Sequence, residues 1–170
     1  NKSMEFLNKR VQGVISGKEN ELIWVLEHKT VYTKGTNSNH KDLINRKIKV
    51  IQTNRGGKHT LHSPGQKVVY FVLDLNRRGK DIKKLLKKVE TCMIDITNEY
   101  RIKSFADKKN VGIWVGSTKD AKKVGSIGIR IKRWVAYHGF SLNVSNDLTK
   151  YKEIIPCGIK DKGITSLKDL

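Results

Sequence analysis

The chain has 170 residues, 37% of them hydrophobic, and carries a formal charge of +19 from 35 Lys and Arg against 16 Asp and Glu. That length fits one domain with a real core, and the apolar residues cluster into periodic runs, which excludes a disordered chain. No run approaches the roughly 18 apolar residues of a membrane span, no signal-peptide pattern is visible, and two cysteines, Cys92 and Cys157, do not make a secreted disulfide scaffold.

Residues 3–16 place Leu7, Val11, Val14 and Ile15 on one face and predict a helix. Glu21 to His28 is a compact apolar run suited to a buried strand. A polar connection follows at 34–39, then a helical turn near 41–45. Residues 50–52 form a strand leading into Arg55-Gly56-Gly57, and Lys67 to Leu75 is the next strand. Asp81 is an N-cap for the clearest helix, with Ile82, Leu85, Leu86, Val89, Met93 and Ile96 at helical spacing to about Tyr100. Strand-like runs divided by glycines follow at 111–115, 124–131 and 134–144. The tail, 147–170, holds a short helix or turn and two apolar stretches, 154–158 and 163–167. With no internal repeat and no long linker, this order reads as a single α+β domain over residues 1–170. The chain opens on Asn1 rather than Met, so upstream residues are expected.

The surplus of positive charge attracts polyanions and acidic partners. Lysine is spread along the whole chain, however. There is no basic tail, no two-Cys-two-His spacing and no aromatic–arginine platform of the kind that stacks bases. An acidic protein partner fits the charge as well as nucleic acid does.

The richest stretch is Arg55-Gly56-Gly57-Lys58-His59-Thr60-Leu61-His62-Ser63-Pro64-Gly65-Gln66. Paired glycines let a backbone approach a ligand closely, and Pro-Gly fixes a tight turn. Arg55, Thr60, His62 and Gln66 could supply directed polar groups. A glycine-containing hairpin with stray polar residues explains the segment equally well.

The two cysteines differ in context. Cys92 falls with Leu85, Val89 and Ile96 on the core-facing stripe of the second helix, where a thiol is a small hydrophobe. Cys157, between Pro156 and Gly158, lies in a loop or at an element boundary, a setting that often carries catalytic groups; a loop cysteine partly covered by Ile154 and Ile155 explains it equally well. An unperturbed thiol is only ~3% thiolate at pH 7, and a cation that lowers its pKa by ~2 units makes most of it nucleophilic. His62, His138 and several lysines are candidates for that cation. Lys123 opens Lys123-Val124-Gly125-Ser126-Ile127-Gly128-Ile129, where small residues alternate with β-branched ones, and on local evidence it is one more surface lysine.

Taken together these segments resemble the lipoyl(octanoyl) transferases. The likeness runs through residues 55–62 and 64–66, Gly112-Ile113-Trp114-Val115, residues 123–131, Trp134, Tyr137-His138-Gly139-Phe140-Ser141-Leu142-Asn143-Val144, Asp147-Leu148, and Pro156-Cys157-Gly158-Ile159. The resemblance implies a mixed β-sheet with flanking helices, as in the catalytic domain of biotin and lipoate protein ligases. It implies Cys157 as the acyl-carrying nucleophile and Lys123 as its acid/base partner. It implies substrate contacts from Arg55, Gly56, Gly57, Lys58, His59, Thr60, Leu61 and His62, from Ser126, Ile127 and Gly128, and from Tyr137, His138 and Gly139. His62 and His138 then orient substrate or close the pocket, or serve as hydrogen-bonded core residues. The family usually has glycine where Ser63 stands and tyrosine where Leu61 stands, and a first strand of its relatives is expected to lie outside this chain.

The implied donor is octanoyl-acyl carrier protein. Its thioester is already activated, so no ATP and no other cofactor is implied. The implied acceptors are lipoyl domains of 2-oxoacid dehydrogenase complexes and the glycine cleavage H protein. The expected setting is the cytoplasm and the expected state a monomer, with neither nucleic acid nor membrane as partner. Three rivals remain open at this point: an ATP-dependent lipoate or biotin ligase of the same fold, a basic nucleic-acid-binding module, and a metal site using His59, His62 and His138.

Overall fold

The computed structural model describes residues 2–117, 119–158 and 162–170, with Cys157 described by its backbone alone. The first helix, α1 (Lys2–Ile15), buries Leu7 and Val11. Among the described residues nine strands follow: β1 (Leu22–Leu26), β2 (Val31–Lys34), β3 (Val50–Gln52), β4 (His59–His62), β5 (Gln66–Asp74), β6 (Ser104–Ala106), β7 (Ile113–Val115), β8 (Lys122–Lys132) and β9 (Val135–Asn143). The second helix, α2 (Ile82–Glu99), lies between β5 and β6, and its N-cap is Asp81, whose side chain accepts from the Lys84 N–H.

The strands form two sheets. The larger has the order β1-β5-β9-β8-β7-β6, antiparallel throughout. The smaller has the order β3-β2-β4, and is mixed: β2 runs parallel to β3 and antiparallel to β4. The α+β class and the flanking helices are as expected, and the mixed character resides in the smaller sheet.

Strand alternation divides the core in two. Val68, Tyr70 and Val72 of β5 and Val135 and Tyr137 of β9 pack with Leu7 and Val11 under α1. Phe71, Ile113, Val124, Ala136 and Leu142 pack with Leu85, Val89 and Met93 under α2. A third cluster, Leu61, Tyr151 and Ile154, joins the small sheet to the C-terminal segment.

Two expectations need correction. The run at 21–28 forms an edge strand rather than a buried one. Leu22, Trp24 and Leu26 pack with the α1 cluster, while Ile23 and Val25 on the other face are 70% and 59% exposed. Cys92 is exposed rather than on the core stripe. The buried positions of α2 are Leu85, Val89, Met93 and Thr97, a stripe centred near Met93. One residue is about 100° of helix, which turns Cys92 out to solvent. Strands β2 and β6 carry no periodic apolar signal, and the sequence pattern does not predict them. A third of the segment at 55–66, His59–His62, is β4, with all four residues buried.

Candidate active site

A cavity opens between the small sheet and the face of the large sheet that carries α1. Arg55, Gly57, Lys58, Thr60 and His62 line it from the glycine segment, Ser126, Ile127 and Gly128 from β8, and His138, Gly139, Phe140 and Ser141 from β9. Met4 of α1, with Val68 and Tyr70 of β5, also lines it. Three separate stretches of the predicted substrate segments therefore meet at one hollow.

Alternation along β4 sorts the predicted contacts. Thr60 and His62 face this cavity. Leu61 turns the other way, into the cluster with Tyr151 and Ile154, and His59 lines a separate polar pocket. Tyr137 packs in the core beneath α1, and its hydroxyl accepts from Asn54 Nδ2 at 3.1 Å.

The polar lining is held by defined partners. Gln66, 1% exposed, donates from Nε2 to Leu61 O, Asn143 Oδ1 and the Tyr151 hydroxyl. Its Oε1 is therefore the acceptor in the 2.7 Å contact with His62 Nδ1. That places the His62 proton on Nδ1 and leaves Nε2 as a lone-pair nitrogen. Asn54 is fixed in the same way, because its amide nitrogen is committed to Tyr137 and its Oδ1 accepts from His138 Nε2 at 2.7 Å. Burial pushes the pKa of His62 down to about 4 and, with the nearby Arg55 and Arg130 cations, that of His138 down to about 3. Both rings are neutral at neutral pH. Tyr70, hydrogen-bonded to His28 at 2.8 Å, is pushed up to about 12 by burial. Arg55 is held by Thr33, donating to its carbonyl and hydroxyl oxygens at 3.1 and 2.9 Å.

The backbone of β9 is bent to aim His138. Its φ is +68°, followed by Gly139 at +154°, where a Cβ would collide with the Val69 carbonyl. Residues 137 and 138, which regular alternation would put on opposite faces, instead stack with ring centroids 4.9 Å apart. A non-glycine residue held at positive φ inside a buried strand is costly backbone geometry of the kind found at functional sites.

Lys123 is not a surface lysine. It is 4% exposed, at the start of β8 opposite Trp114, where the β7–β8 register shifts. Its ammonium stands 5.1 Å from the Trp114 ring centroid, a favourable cation–π distance. Space for its stem exists because residue 112 is glycine: a Cβ there would collide with Lys123 Cε and lie 3.0 Å from Nζ. The Lys123 N–H donates to Gly163 O and its carbonyl accepts from Thr165, both at 2.9 Å. The lysine is thereby tied to the segment that follows the Cys157 turn. Sequence could not find this burial, because an isolated lysine before a glycine-rich strand has no pattern of its own.

The Pro156–Gly158 turn sits against the small sheet. The Ile155 N–H donates to Asp42 O at 2.7 Å and the Gly158 N–H to Ile155 O at 3.0 Å. Lys58 reaches this turn, its Cε 3.0 Å from where a Cβ on Gly158 would stand. The Cys157 side chain and Ile159 lie outside the described residues. The histidines of the supposed metal site diverge, since His59 faces away from the cavity that His62 and His138 line. Among the described residues no three His, Cys, Asp or Glu side chains are grouped to hold a metal ion, and no helix is long and apolar enough to cross a membrane.

The chain belongs to the lipoyl protein ligase A/B catalytic domain family, whose profile matches residues 2–170. Within that family it is similar to curated proteins named octanoyltransferase. It is 43% identical over 170 residues to one from Anaplasma marginale (strain Florida), covering 99% of this chain and 79% of the relative. It is 44% identical over 171 residues to one from Rickettsia peacockii (strain Rustic), covering 98% and 82%. Among solved structures, lipoate-protein ligase A bound with ATP superimposes with a TM-score of 0.69 at 13% identity, over 100% of this chain and 73% of that one. A bi-partite lipoate protein ligase from Thermoplasma acidophilum gives 0.59 at 13% identity, over 86% and 61%. The structural likenesses establish the fold.

Proposed function

We propose that this protein is an acyltransferase that moves an octanoyl group from acyl carrier protein to a lysine of a lipoyl domain, through a thioester on Cys157, with Lys123 as acid and base. The observation that carries the chemical part is the buried Lys123, held over Trp114 and tied by its backbone to the segment after the Cys157 turn. Similarity to octanoyltransferases over 98–99% of this chain and 79–82% of the relatives supports the choice of acyl group and reaction.

In the first step the Cys157 thiolate attacks the donor carbonyl, its proton having passed to Lys123. The C–S bond to the carrier breaks, and the departing thiolate takes the proton from Lys123. The acyl chain lies in the cavity lined by Val68, Ile127 and Phe140. In the second step a lysine amine of the acceptor attacks the Cys157 thioester. Free lysine is only about 1 part in 2,500 neutral at pH 7, so a base at the site matters, and Lys123, now neutral, takes the proton. The Cys157 thiolate leaves and an amide remains. The two steps form a ping-pong scheme. Neutral His62 and His138, fixed by Gln66 and Asn54, shape and position rather than carry the proton. The +19 charge favours encounter with acidic carriers and acceptors.

Incubation with octanoyl-acyl carrier protein, followed by intact-mass measurement, tests this reading. One octanoyl group is expected on the wild type and on Cys92→Ser, and none on Cys157→Ser. Lys123→Arg, which keeps the charge, is expected to lose turnover. Activity with free octanoate and ATP, and none with the carrier thioester, would instead identify a ligase.

A further inference from the structure

A second, polar pocket lies across the small sheet from the acyl cavity. The β2–β4 register pairs Thr33 with Thr60 and, one step along, Lys34 with His59. The first pair lines the acyl cavity. The second pair lines the polar pocket, together with Gln52, Asn39 and His40. His59 is 3% exposed, and its Nδ1 has no hydrogen-bond partner. A buried ring nitrogen without a partner is destabilising unless a ligand or water satisfies it, and this ring borders a hollow that can hold one.

The charge around the pocket selects the kind of ligand. The groups acting on His59 are Asp42, Lys34, Arg55 and His40. Asp42, the one acid among them, faces Lys58 at 4.0 Å. Lys34 has no acidic partner among the described residues. The balance is positive, so the pocket suits an anion. Lys34 offers an ammonium, Gln52 an amide, and His59, in the tautomer protonated at Nδ1, a neutral donor.

Position within the site then narrows the anion. The Cys157 turn lies on the same side of the small sheet as this pocket, since Ile155 is bonded to the Asp42 carbonyl and Ile154 packs with Leu61. The acyl cavity is on the other side, and Lys58 stands at the edge between them. A carrier thioester has the same order along its length: acyl chain, sulfur, amide arm, phosphodiester. We infer that the Lys34–His59 pocket binds the phosphodiester of the donor's phosphopantetheine arm, an assignment that rests on the octanoyl-transfer reading. The acyl chain and the arm then occupy opposite faces of one three-stranded sheet, with the thioester at its edge.

The test compares two small donors, octanoyl-4′-phosphopantetheine and octanoyl-pantetheine, which differ only in the phosphate. Wild-type protein is expected to acylate itself from the phosphorylated donor with about tenfold or greater advantage in kcat/KM, the size of one charge-assisted hydrogen bond. Lys34→Met and His59→Asn should each shrink that advantage, taken as the ratio of the two donors within each variant, to about twofold, the non-additivity expected of interacting groups. Lys87→Met, on the exposed face of α2, should keep the full advantage. The assignment is overturned if wild type shows no phosphate preference, or if Lys34→Met retains it. It is also overturned if Lys87→Met reduces the preference equally, which would mean a general field rather than a pocket. Acylation by neither small donor nor by octanoyl-acyl carrier protein would overturn the octanoyl-transfer reading and this assignment with it.

Discussion

Replacing Gly112 by alanine perturbs Lys123, the proposed acid and base, without substituting it. The new Cβ would collide with Lys123 Cε and stand 3.0 Å from Nζ and 2.7 Å from the Gly125 carbonyl oxygen. Ordinary carbon–carbon contacts are about 3.5–4.0 Å, so the lysine stem must move by about 1 Å or more. A misplacement of about 1 Å at a reacting group costs about 100-fold in rate. Residue 112 also has a φ of +137°, which alanine adopts only with strain, and strain plus overpacking destabilises by about 1–3 kcal/mol. For a chain of this size that lowers Tm by about 2–12 °C. Single-turnover acylation, followed by intact mass well below the variant's Tm, should be about 100-fold slower in Gly112→Ala. Adding Lys123→Ala to Gly112→Ala should cause little further loss than Lys123→Ala alone, because both act through one ammonium. Wild-type acylation by Gly112→Ala, or losses that simply multiply, would refute the placement of Lys123 as the reacting base.

Acid should weaken the fold through two buried histidines. His62 and His138 have folded-state pKa values lowered to about 4 and about 3, against about 6.5 when unfolded. The unfolded chain therefore takes up protons first, and stability present above pH 6.5 is lost as pH falls toward these folded values. At pH 5 the loss is about 2 kcal/mol per histidine, read by urea unfolding at pH 7 and pH 5; equal midpoints would show that these rings are not held neutral. Gln66→Leu strips partners from His62, Asn143 and Tyr151 at once and should destabilise by about 2–4 kcal/mol, whereas a change under 1 kcal/mol would mean the network is not closed as described. Met4, which lines the proposed acyl cavity from α1, is flexible and unbranched. Met4→Trp should shift the preferred donor to a shorter acyl chain in a competition of hexanoyl, octanoyl and decanoyl carriers, and an unchanged profile would remove Met4 from the cavity end.

Periodicity made the two helices and the long strands legible, because each buries one regular face. It could not separate an edge strand from a central one, so Ile23 and Val25 read as core when they lie uncovered at the margin of the sheet. Nor could it fix the centre of the α2 stripe closely enough to see that Cys92 points out. The glycine segment was legible as unusual, but its division between two faces depends on β4 pairing with β2, a partner with no apolar pattern. His138 defeats alternation altogether, since its side chain is redirected by a positive φ that no spacing rule reports. Lys123 is the extreme case: its local sequence looks solvated, and only the glycine at 112, the indole of Trp114 and the C-terminal segment make it an interior cation. Resemblance to a family singled it out where residue-level reasoning had no means to.

Strand β4 has a consequence for how this molecule tolerates change. Its four side chains point alternately into two compartments, so it works as a partition wall whose studs are counted in single residues. Inserting or deleting one residue in the 55–58 loop, where it slides β4 one place along β2, would transpose every stud: His59 and Leu61 would invade the hollow proposed for the fatty tail, while a threonine and a histidine would enter the greasy joint beside Ile154. Loop length there is thus under the same constraint as side-chain chemistry, and a library varying both should yield active clones almost solely at the native spacing.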